Sequence, residues 1–259
     1  MMDCYMVISI LAKKLMKATK YLFFVMLGLA AACSNDDPAP LSKKSVSLGS
    51  KTDIAVAPAG LTSSSDGYAQ EAAAYIELVN GMTAYSSLLK APSGAKKTAT
   101  ITPKNGRVSG ETVTYTWSDS NAEMAYQVTE SGDSYEFELM IKLAGSADWL
   151  RYLKAEEKKD QSQGSMVVYD VYSLMSNDAS AELMKYEWIK TDDNINFKLT
   201  SGIEEFYLVL NINTKTKAGS IDYYLTGVRF MNYTWASDGH GTWTIYGDDG
   251  VAITESGEW

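Results

Sequence analysis

The chain has 259 residues and carries 32 acidic side chains against 23 lysines and arginines, a net charge of −9. Such a surface repels the phosphates of nucleic acids, which excludes nucleic acid as the expected partner. One histidine and two cysteines leave little material for a histidine-ligated metal, a Ser-His-Asp triad or a disulfide framework.

The first segment of the chain has the features of a secretory signal. Residues 21–32 are apolar or small, four lysines precede them, and three alanines end the run. A basic stretch, a short apolar run and small residues at the cleavage site are typical of a signal peptide. The apolar run has about a dozen residues, whereas a membrane-spanning helix needs roughly 20. We therefore expect residues 1–32 to be cleaved. Residues 1–15 are expected to be an upstream mis-start, because a signal of ordinary length begins at Met16.

The residue that follows the three alanines is Cys33. In this position the segment resembles the signal of bacterial lipoproteins, in which the cysteine becomes the new N-terminus and carries acyl chains. The resemblance implies a membrane anchor on Cys33, since acyl chains attach a protein by burying methylene groups. The alternative is an ordinary signal with a cysteine there by chance.

Asp36 and Asp37 come directly after this cysteine, in "SNDD". An acidic cluster at this place resembles the export tag of lipoproteins displayed on the outer face of some outer membranes. It implies a protein that faces the cell exterior, with the periplasmic face as the alternative. The same residues would also suit the start of a solvated tether.

Removal of residues 1–32 takes away four lysines and one aspartate and leaves a net charge of −12. Cys33 is then the last cysteine, so neither a disulfide nor a thiolate catalyst is expected. Residues 33–66 are rich in serine, alanine, proline and glycine, which predicts a flexible tether. Within this segment "IAVA", residues 54–57, is the alternative candidate for an edge strand. Residues 67–259 are long enough for a single domain with its own core.

One helix is predicted, over residues 68–90. Ser65 or Asp66 is suited to cap its start. Gly81 costs about 1 kcal/mol relative to alanine in a helix, so we expect a close neighbour there. The apolar face is formed by residues at helical spacing, namely Ala72, Tyr75, Ile76, Val79, Thr83 and Leu89.

The remaining sequence alternates polar and apolar residues with a period of two, most clearly in residues 111–117, 135–143 and 206–213. Turn residues separate these runs, often every 8 to 12 residues. The pattern predicts a mainly β fold, an antiparallel meander of about ten strands curved around the helix, with one face buried. Both an open half-barrel and a closed barrel satisfy it. Residues 149–164 favour a strand and hairpin turn over a short amphipathic helix.

No catalytic or metal-binding constellation is found. His240 lies between two glycines, which indicates a solvated turn histidine rather than a ligand or a base. The acidic stretches at residues 191–194 and 248–250 lack the ligand spacing of a calcium loop and are expected to be turns. No cofactor is therefore expected. A hydrolase of glycans needs two carboxylates only, so that alternative stays open. Candidate carboxylates on or near strands are Glu130, Glu136, Glu138, Glu187 and Glu255.

Aromatic residues are abundant, and their placement suggests both core and surface roles. Trp117, Trp188 and Trp243 fall on alternating runs and are expected in the core. Trp149 follows a turn and Trp259 ends the printed sequence, so these two are expected to be exposed and to stack on a ligand. A Tyr-x-Trp pattern recurs at residues 115–117, 186–188 and 233–235, which we interpret as repeated hairpin construction.

These observations favour a membrane-anchored, non-catalytic binding module at the outer membrane surface, with a glycan or a protein as its ligand. The first alternative is a carrier of lipid or another hydrophobic ligand, which requires a half-barrel cavity. The second is a hydrolase of surface glycans.

Overall fold

The computed structural model describes residues 55–103, 108, 110–118, 122–171, 182–203 and 205–259. Cys33, Asp36, Asp37 and the expected signal peptide lie outside these residues, so their roles stay predictions. None of the helices in the described part of the chain combines the length and the hydropathy needed to cross a membrane.

The expected N-terminal helix is present. A short helix α1 (Ala59–Ser63) precedes α2 (Gly67–Thr83), which continues as a 3₁₀ turn (Ala84–Leu88). Asp66 caps α2, since its carboxylate accepts hydrogen bonds from the backbone N–H groups of Tyr68 at 2.8 Å and Ala69 at 3.1 Å. A Cβ added to Gly81 would meet no atom within 4 Å. The close neighbour expected at Gly81 was therefore wrong.

The end of the segment expected as a tether packs on the domain. Ala55 is buried, and its backbone N–H and C=O bond the side-chain amide of Asn80 on α2 at 3.2 and 2.7 Å. Leu61 on α1 is fully buried, and Gly60 lies against the backbone of Gly239. The structure has no strand at Ala55, so the edge-strand alternative was wrong, and ordered contacts begin ahead of residue 67.

The described residues form one antiparallel sheet of thirteen strands in sequential order. The mainly β meander with an N-terminal helix is confirmed, with three more strands than expected. The sheet is open, because β1 pairs with β2 alone and β13 with β12 alone among the described residues. The strands are β1 (Lys96–Thr98), β2 (Glu111–Ser118), β3 (Ala122–Ser131), β4 (Ser134–Leu143), β5 (Leu150–Lys158), β6 (Gln163–Tyr169), β7 (Glu182–Lys190), β8 (Asn194–Ser201), β9 (Phe206–Asn213), β10 (Gly219–Leu225), β11 (Val228–Trp235), β12 (Gly241–Tyr246) and β13 (Ile253–Glu258). The hairpin favoured over a helix for residues 149–164 is confirmed by β5 and the start of β6.

A meander of this kind has two distinct ends. The connections that follow even-numbered strands all lie at one end, which we call the front end, and those that follow odd-numbered strands lie at the back end. Helix α1 packs on the β11–β12 turn and so belongs to the back end. Residues of one strand alternate between an inner face, which packs on α2, and an outer face.

The inner face is filled. Tyr68 of α2 stacks on Trp243 with ring centroids 3.8 Å apart, and Tyr75 lies 5.9 Å from Tyr223. Trp188 and Trp243 are buried, as expected, and Trp117 is half-buried against the same core. One continuous hydrophobic cluster joins the helix to strands from β2 to β12. In the described part of the chain, the face of the sheet that packs on α2 therefore holds side chains where a carrier would hold its ligand.

Four tryptophans of the inner face each cover a glycine of a neighbouring strand, so that a Cβ on the glycine would overlap the indole. These pairs are Trp188 on Gly164, Trp235 on Gly219, Trp243 on Gly257, and Trp259 on Gly241. Two of them belong to the recurring Tyr-x-Trp pattern. The pattern thus reflects a repeated packing arrangement between adjacent strands.

The outer face of β2 to β5 carries a line of buried polar side chains. The Thr114 hydroxyl donates to Gln127 Oε1 at 2.7 Å, and Gln127 Nε2 donates to Glu138 Oε2 at 3.4 Å. Glu138 Oε1 receives Arg151 Nε at 2.7 Å. The backbone N–H of Ile101, from the segment after β1, also reaches Gln127 at 3.1 Å. This network satisfies the polar groups that burial would otherwise leave unpaired.

Candidate functional site: a polar groove on the outer face

A groove of about 250 Å³ opens on the outer face near the back end of β4 to β7. Its central side chains are Glu156, Ser165 and Glu187, which the strand register places in one row. The next row toward the back end completes the walls. The groove is lined by Ser134, Glu156, Lys158, Gln163, Gly164, Ser165, Glu187, Trp188 and Ile189.

The strands explain this arrangement. Along β5 to β7 the inner-face row Ala155, Met166 and Tyr186 is buried, so the neighbouring row must face outward. On β6 the side chains of Gln163 and Ser165 point into the groove, whereas Gly164 occupies an inward position like that of Met166. The indole of Trp188 fills the space that a side chain on Gly164 would take on the inner face.

The groove mixes charges and hydrogen-bonding groups. Glu187 forms an ion pair with Lys185, with 2.8 Å between Oε1 and Nζ, and both side chains are about 40% exposed. At the β5–β6 turn, the backbone N–H of Ser162 bonds Asp160 at 2.9 Å, and this bond holds the pKa of the Asp160 carboxyl below its ordinary value. Ile189 is 54% exposed and forms an apolar lip. The groove therefore offers acceptors, donors and one aliphatic contact to a single ligand.

Its size limits what the groove can hold. Pockets that enclose drug-sized ligands measure roughly 300–1,000 Å³. A groove of about 250 Å³ fits one small polar unit of a longer molecule rather than a whole large ligand. Oxygen-rich walls with an aliphatic lip match the hydroxyl groups and the C–H faces of a sugar ring.

The two tryptophans expected to stack on a ligand are not brought together. Trp149 lies in the β4–β5 connection at the front end, half-buried, with Lys142 Nζ 5.8 Å from its ring centroid. Trp259 follows β13 at the back end, where it covers Gly241 and donates from Nε1 to the carbonyl of Gly239 at 2.7 Å. Neither ring contributes to the groove.

Three outer-face tyrosines near the front end form what we call the tyrosine stack: Tyr207, Tyr224 and Tyr246. The rings of Tyr207 and Tyr224 lie 4.3 Å apart at an angle of 12°. Lys198 lies over Tyr207 at 4.5 Å, and Arg229 lies over Tyr246 at 4.6 Å. The ring faces are thus occupied by each other and by cations. These tyrosines present edges and hydroxyls, a poor surface for stacking on sugars.

Arg229 also pairs with Asp222 on the same face. Burial and the Asp222 carboxylate both raise the pKa of the Tyr224 hydroxyl above its ordinary value. The β-bulge between Tyr223 and Tyr224 places Tyr224 opposite Arg229 and leaves Phe230 to pack edge-on against Tyr223. The bulge is therefore what brings the cation and the tyrosines to one face.

The other residues considered from sequence occupy ordinary positions. His240 is exposed in the β11–β12 turn, with Nδ1 3.2 Å from the Trp259 carbonyl. No group of three or more potential metal ligands occurs among the residues that the structure covers. Of the candidate carboxylates, four have basic partners: Glu130 with Lys159, Glu136 with Lys154, Glu138 with Arg151, and Glu187 with Lys185. Glu255 lies on the edge strand β13.

Glu71 is a half-buried carboxyl at the edge of the inner core. Glu71 on α2 accepts a hydrogen bond from the Tyr75 hydroxyl at 3.2 Å. The Tyr233 hydroxyl also approaches it, but without the geometry of a well-formed hydrogen bond. Burial raises the pKa of Glu71 above its ordinary value despite these two hydroxyls.

Sequence reasoning missed Glu156 and Ser165, two of the three central groove residues. The alternation of β5 and β6 contained the signal, because both residues occupy outward positions between buried ones. No protein-family model matches the chain, and no curated protein is significantly similar to it.

Proposed function

We propose that this protein is a membrane-anchored, non-catalytic binding module displayed at the outer membrane surface, and that its outer-face groove binds one sugar unit of a glycan. The observation that carries the proposal is the row Glu156, Ser165 and Glu187, which lines an open polar groove on the side of the sheet away from the helix. The anchor is the acyl group expected on Cys33. A protein ligand that presents polar side chains is the competing ligand class.

The filled inner face weighs against the carrier alternative. A carrier needs an apolar cavity on its concave side, whereas α2 and the sheet share one continuous core. Mass spectrometry of an organic extract of the purified protein tests this point. We expect no stoichiometric lipid apart from the acyl chains on Cys33, and co-purifying lipid would favour the carrier.

The groove also defines how the hydrolase alternative is tested. Glu156 and Glu187 flank Ser165 with one strand between them, so their Cα atoms are about 9.5 Å apart by the usual strand spacing. Inverting glycosidases hold their two carboxyl groups about 6.5–9.5 Å apart, a separation that glutamate side chains on Cα atoms at this spacing can reach. Release of reducing ends from a bound glycan would show catalysis, and we expect none.

The decisive experiment is a glycan array read with the chain from Cys33 to Trp259 carrying Cys33→Ser, which removes the site of acylation. Ser165→Trp fills the groove from an outward position, and Glu187→Gln removes one of its charges. We expect both to weaken glycan binding at least tenfold. The matched control is Thr244→Trp, an outward substitution on β12 away from the groove. Equal loss in all variants, or binding that survives Ser165→Trp, would contradict the groove as the ligand site.

A further inference from the structure

Exposed apolar side chains are concentrated at the front end of the sheet. Among the described residues five large hydrophobic side chains are exposed, and four of these lie at the front end. We call these four the apolar rim: Ile203 (70% exposed), Leu225 (39%), Val251 (77%) and Ile253 (64%). The fifth, Ile189, lies at the back end on the lip of the groove.

The rim is formed by three adjacent hairpins. Ile203 lies in the β8–β9 turn, Leu225 ends β10, and Val251 and Ile253 lie at the β12–β13 turn. Alternate strands are roughly 10 Å apart, so the three turns extend along a line of about 20 Å. Protruding turn tips of this kind are better suited to insertion into a lipid interface than to the flat, close-packed centre of a protein interface.

A second layer lies directly behind the rim. Tyr207 is the second residue of β9, Tyr224 the last but one of β10, and Tyr246 the last of β12, so the tyrosine stack borders the turn tips. Lys198 and Arg229 cover these rings. Aliphatic groups at the tip, followed by amphipathic rings and cations, match the order of acyl chains and headgroups in a membrane interface.

We propose that the front end is a membrane-docking surface, which inserts the apolar rim into the interface of a lipid surface. This inference rests on the anchored protein proposed above, because the expected acyl group on Cys33 keeps the domain close to a membrane. Twenty-one residues lie between Cys33 and Ala55, and an extended chain of this length spans about 75 Å. Docking that is weak by itself becomes effective at the local concentration that such a tether provides.

The charges at the front end select the kind of lipid. Asp248 and Asp249 lie in the β12–β13 turn beside Val251, and Asp249 accepts hydrogen bonds from the backbone N–H groups of Val251 at 2.9 Å and Ala252 at 2.8 Å. These carboxylates lie in the turn itself and repel anionic headgroups at short range. Lys198 lies further along its strand, and the charge of Arg229 is already paired with Asp222. The rim is therefore suited to a zwitterionic surface, and docking of this end turns the groove at the back end away from the bilayer.

Co-sedimentation with phosphatidylcholine vesicles tests the proposal, again with the Cys33→Ser chain, so that neither acyl chains nor a glycan affects the result. We expect the chain to bind, and we expect Val251→Asp combined with Ile253→Asp to lower its partition coefficient at least tenfold. Ile189→Asp makes the same chemical change at the back end and should leave partition unchanged. Replacing one third of the lipid with phosphatidylglycerol should weaken binding.

Three results would overturn the docking surface. These are no vesicle binding by the parent chain, an equal loss with Ile189→Asp, and stronger binding to phosphatidylglycerol vesicles. A fourth would be a dimer that the rim variants dissociate without a change in vesicle binding, which would assign the rim to a second copy of the chain. Circular dichroism of each variant checks that it is folded. Failure here leaves glycan binding by the groove unaffected, so the two proposals are judged separately.

Discussion

The indole of Trp188 on β7 lies directly over Gly164 on β6, so closely that a Cβ on the glycine would overlap the ring. Trp188 is 1% exposed and among the largest side chains of the core. The pair fixes how β6 and β7 pack on the inner face, on the side of these two strands opposite to the groove.

Gly164→Ala should therefore destabilise the protein. The new methyl group overlaps both the Trp188 ring and the backbone carbonyl of Glu156, and overpacking of this kind costs about 1–3 kcal/mol. Chemical denaturation measures the loss. Combining Gly164→Ala with Trp188→Leu should cost less than the sum of the two single changes, because the smaller side chain leaves space. Strict additivity would show that the two residues do not compete for the same volume.

Gly81→Ala should have the opposite effect. Gly81 lies in α2 with open space around its Cα, so alanine replaces it without a clash. Alanine is favoured over glycine in a helix by about 0.8–1.0 kcal/mol. We expect a gain of that size in the free energy of unfolding and a higher Tm. A loss of stability would mean that a neighbour does occupy this position.

Breaking the ion pair between Arg151 and Glu138 should be costly. The two side chains are 16% and 7% exposed, and Arg151→Met leaves the Glu138 carboxylate in a buried site with its principal partner removed. We expect a loss of about 3 kcal/mol in the free energy of unfolding. Arg151→Met with Glu138→Leu removes both charges and should recover most of it.

Lys142→Met is the control for that pair, since it breaks an exposed bridge to Glu123. Exposed bridges contribute about 0–1 kcal/mol, so a small change is expected. If the double variant is no more stable than Arg151→Met alone, the charge of Glu138 is not the source of the loss.

Glu71 should make stability depend on pH. Burial raises its pKa in the folded state, so the folded protein holds this proton more tightly than the unfolded chain. The carboxyl therefore costs nothing below its unfolded pKa, and the cost appears as the pH rises through the raised pKa of the folded state. Glu71→Gln should be more stable than the parent at neutral pH, and the difference should disappear in acid.

Thermal unfolding between pH 3.5 and 8 measures this difference. Glu77→Gln changes an exposed residue of the same helix and serves as the control. A Glu71→Gln curve parallel to that of the parent would show that Glu71 does not titrate differently in the two states.

Strand alternation and helix capping were readable from the sequence because each depends on near neighbours in the chain. The period of two identified inner residues such as Phe137 and Leu139, and Asp66 marked the start of α2. Trp259 shows the limit of such local rules, because its position in the sequence does not indicate that it packs on Gly241, 18 residues earlier.

The groove could not be predicted from the sequence, because its residues also come together through contacts between distant parts of the chain. Glu156, Ser165 and Glu187 meet because two connections set the register of β5, β6 and β7. Twelve residues separate the end of β6 from the start of β7, and local sequence patterns do not determine strand pairing over that separation. The tyrosine stack likewise depends on the β-bulge at Tyr223 and Tyr224, and residue propensities do not predict the position of that bulge.

The contact between Tyr68 and Trp243 has a consequence for the order of events as the chain is made. The first long helix finds its stacking partner 175 residues later, on the last strand but one. Ribosomal synthesis delivers these two residues far apart in time, and the export that we propose would do the same. Hairpins of the meander can close as they emerge, whereas the first turn of the helix lacks its stacking partner until β12 arrives. Completion of the core is therefore a late step, and the proposed export would require the chain to stay incompletely folded until that step.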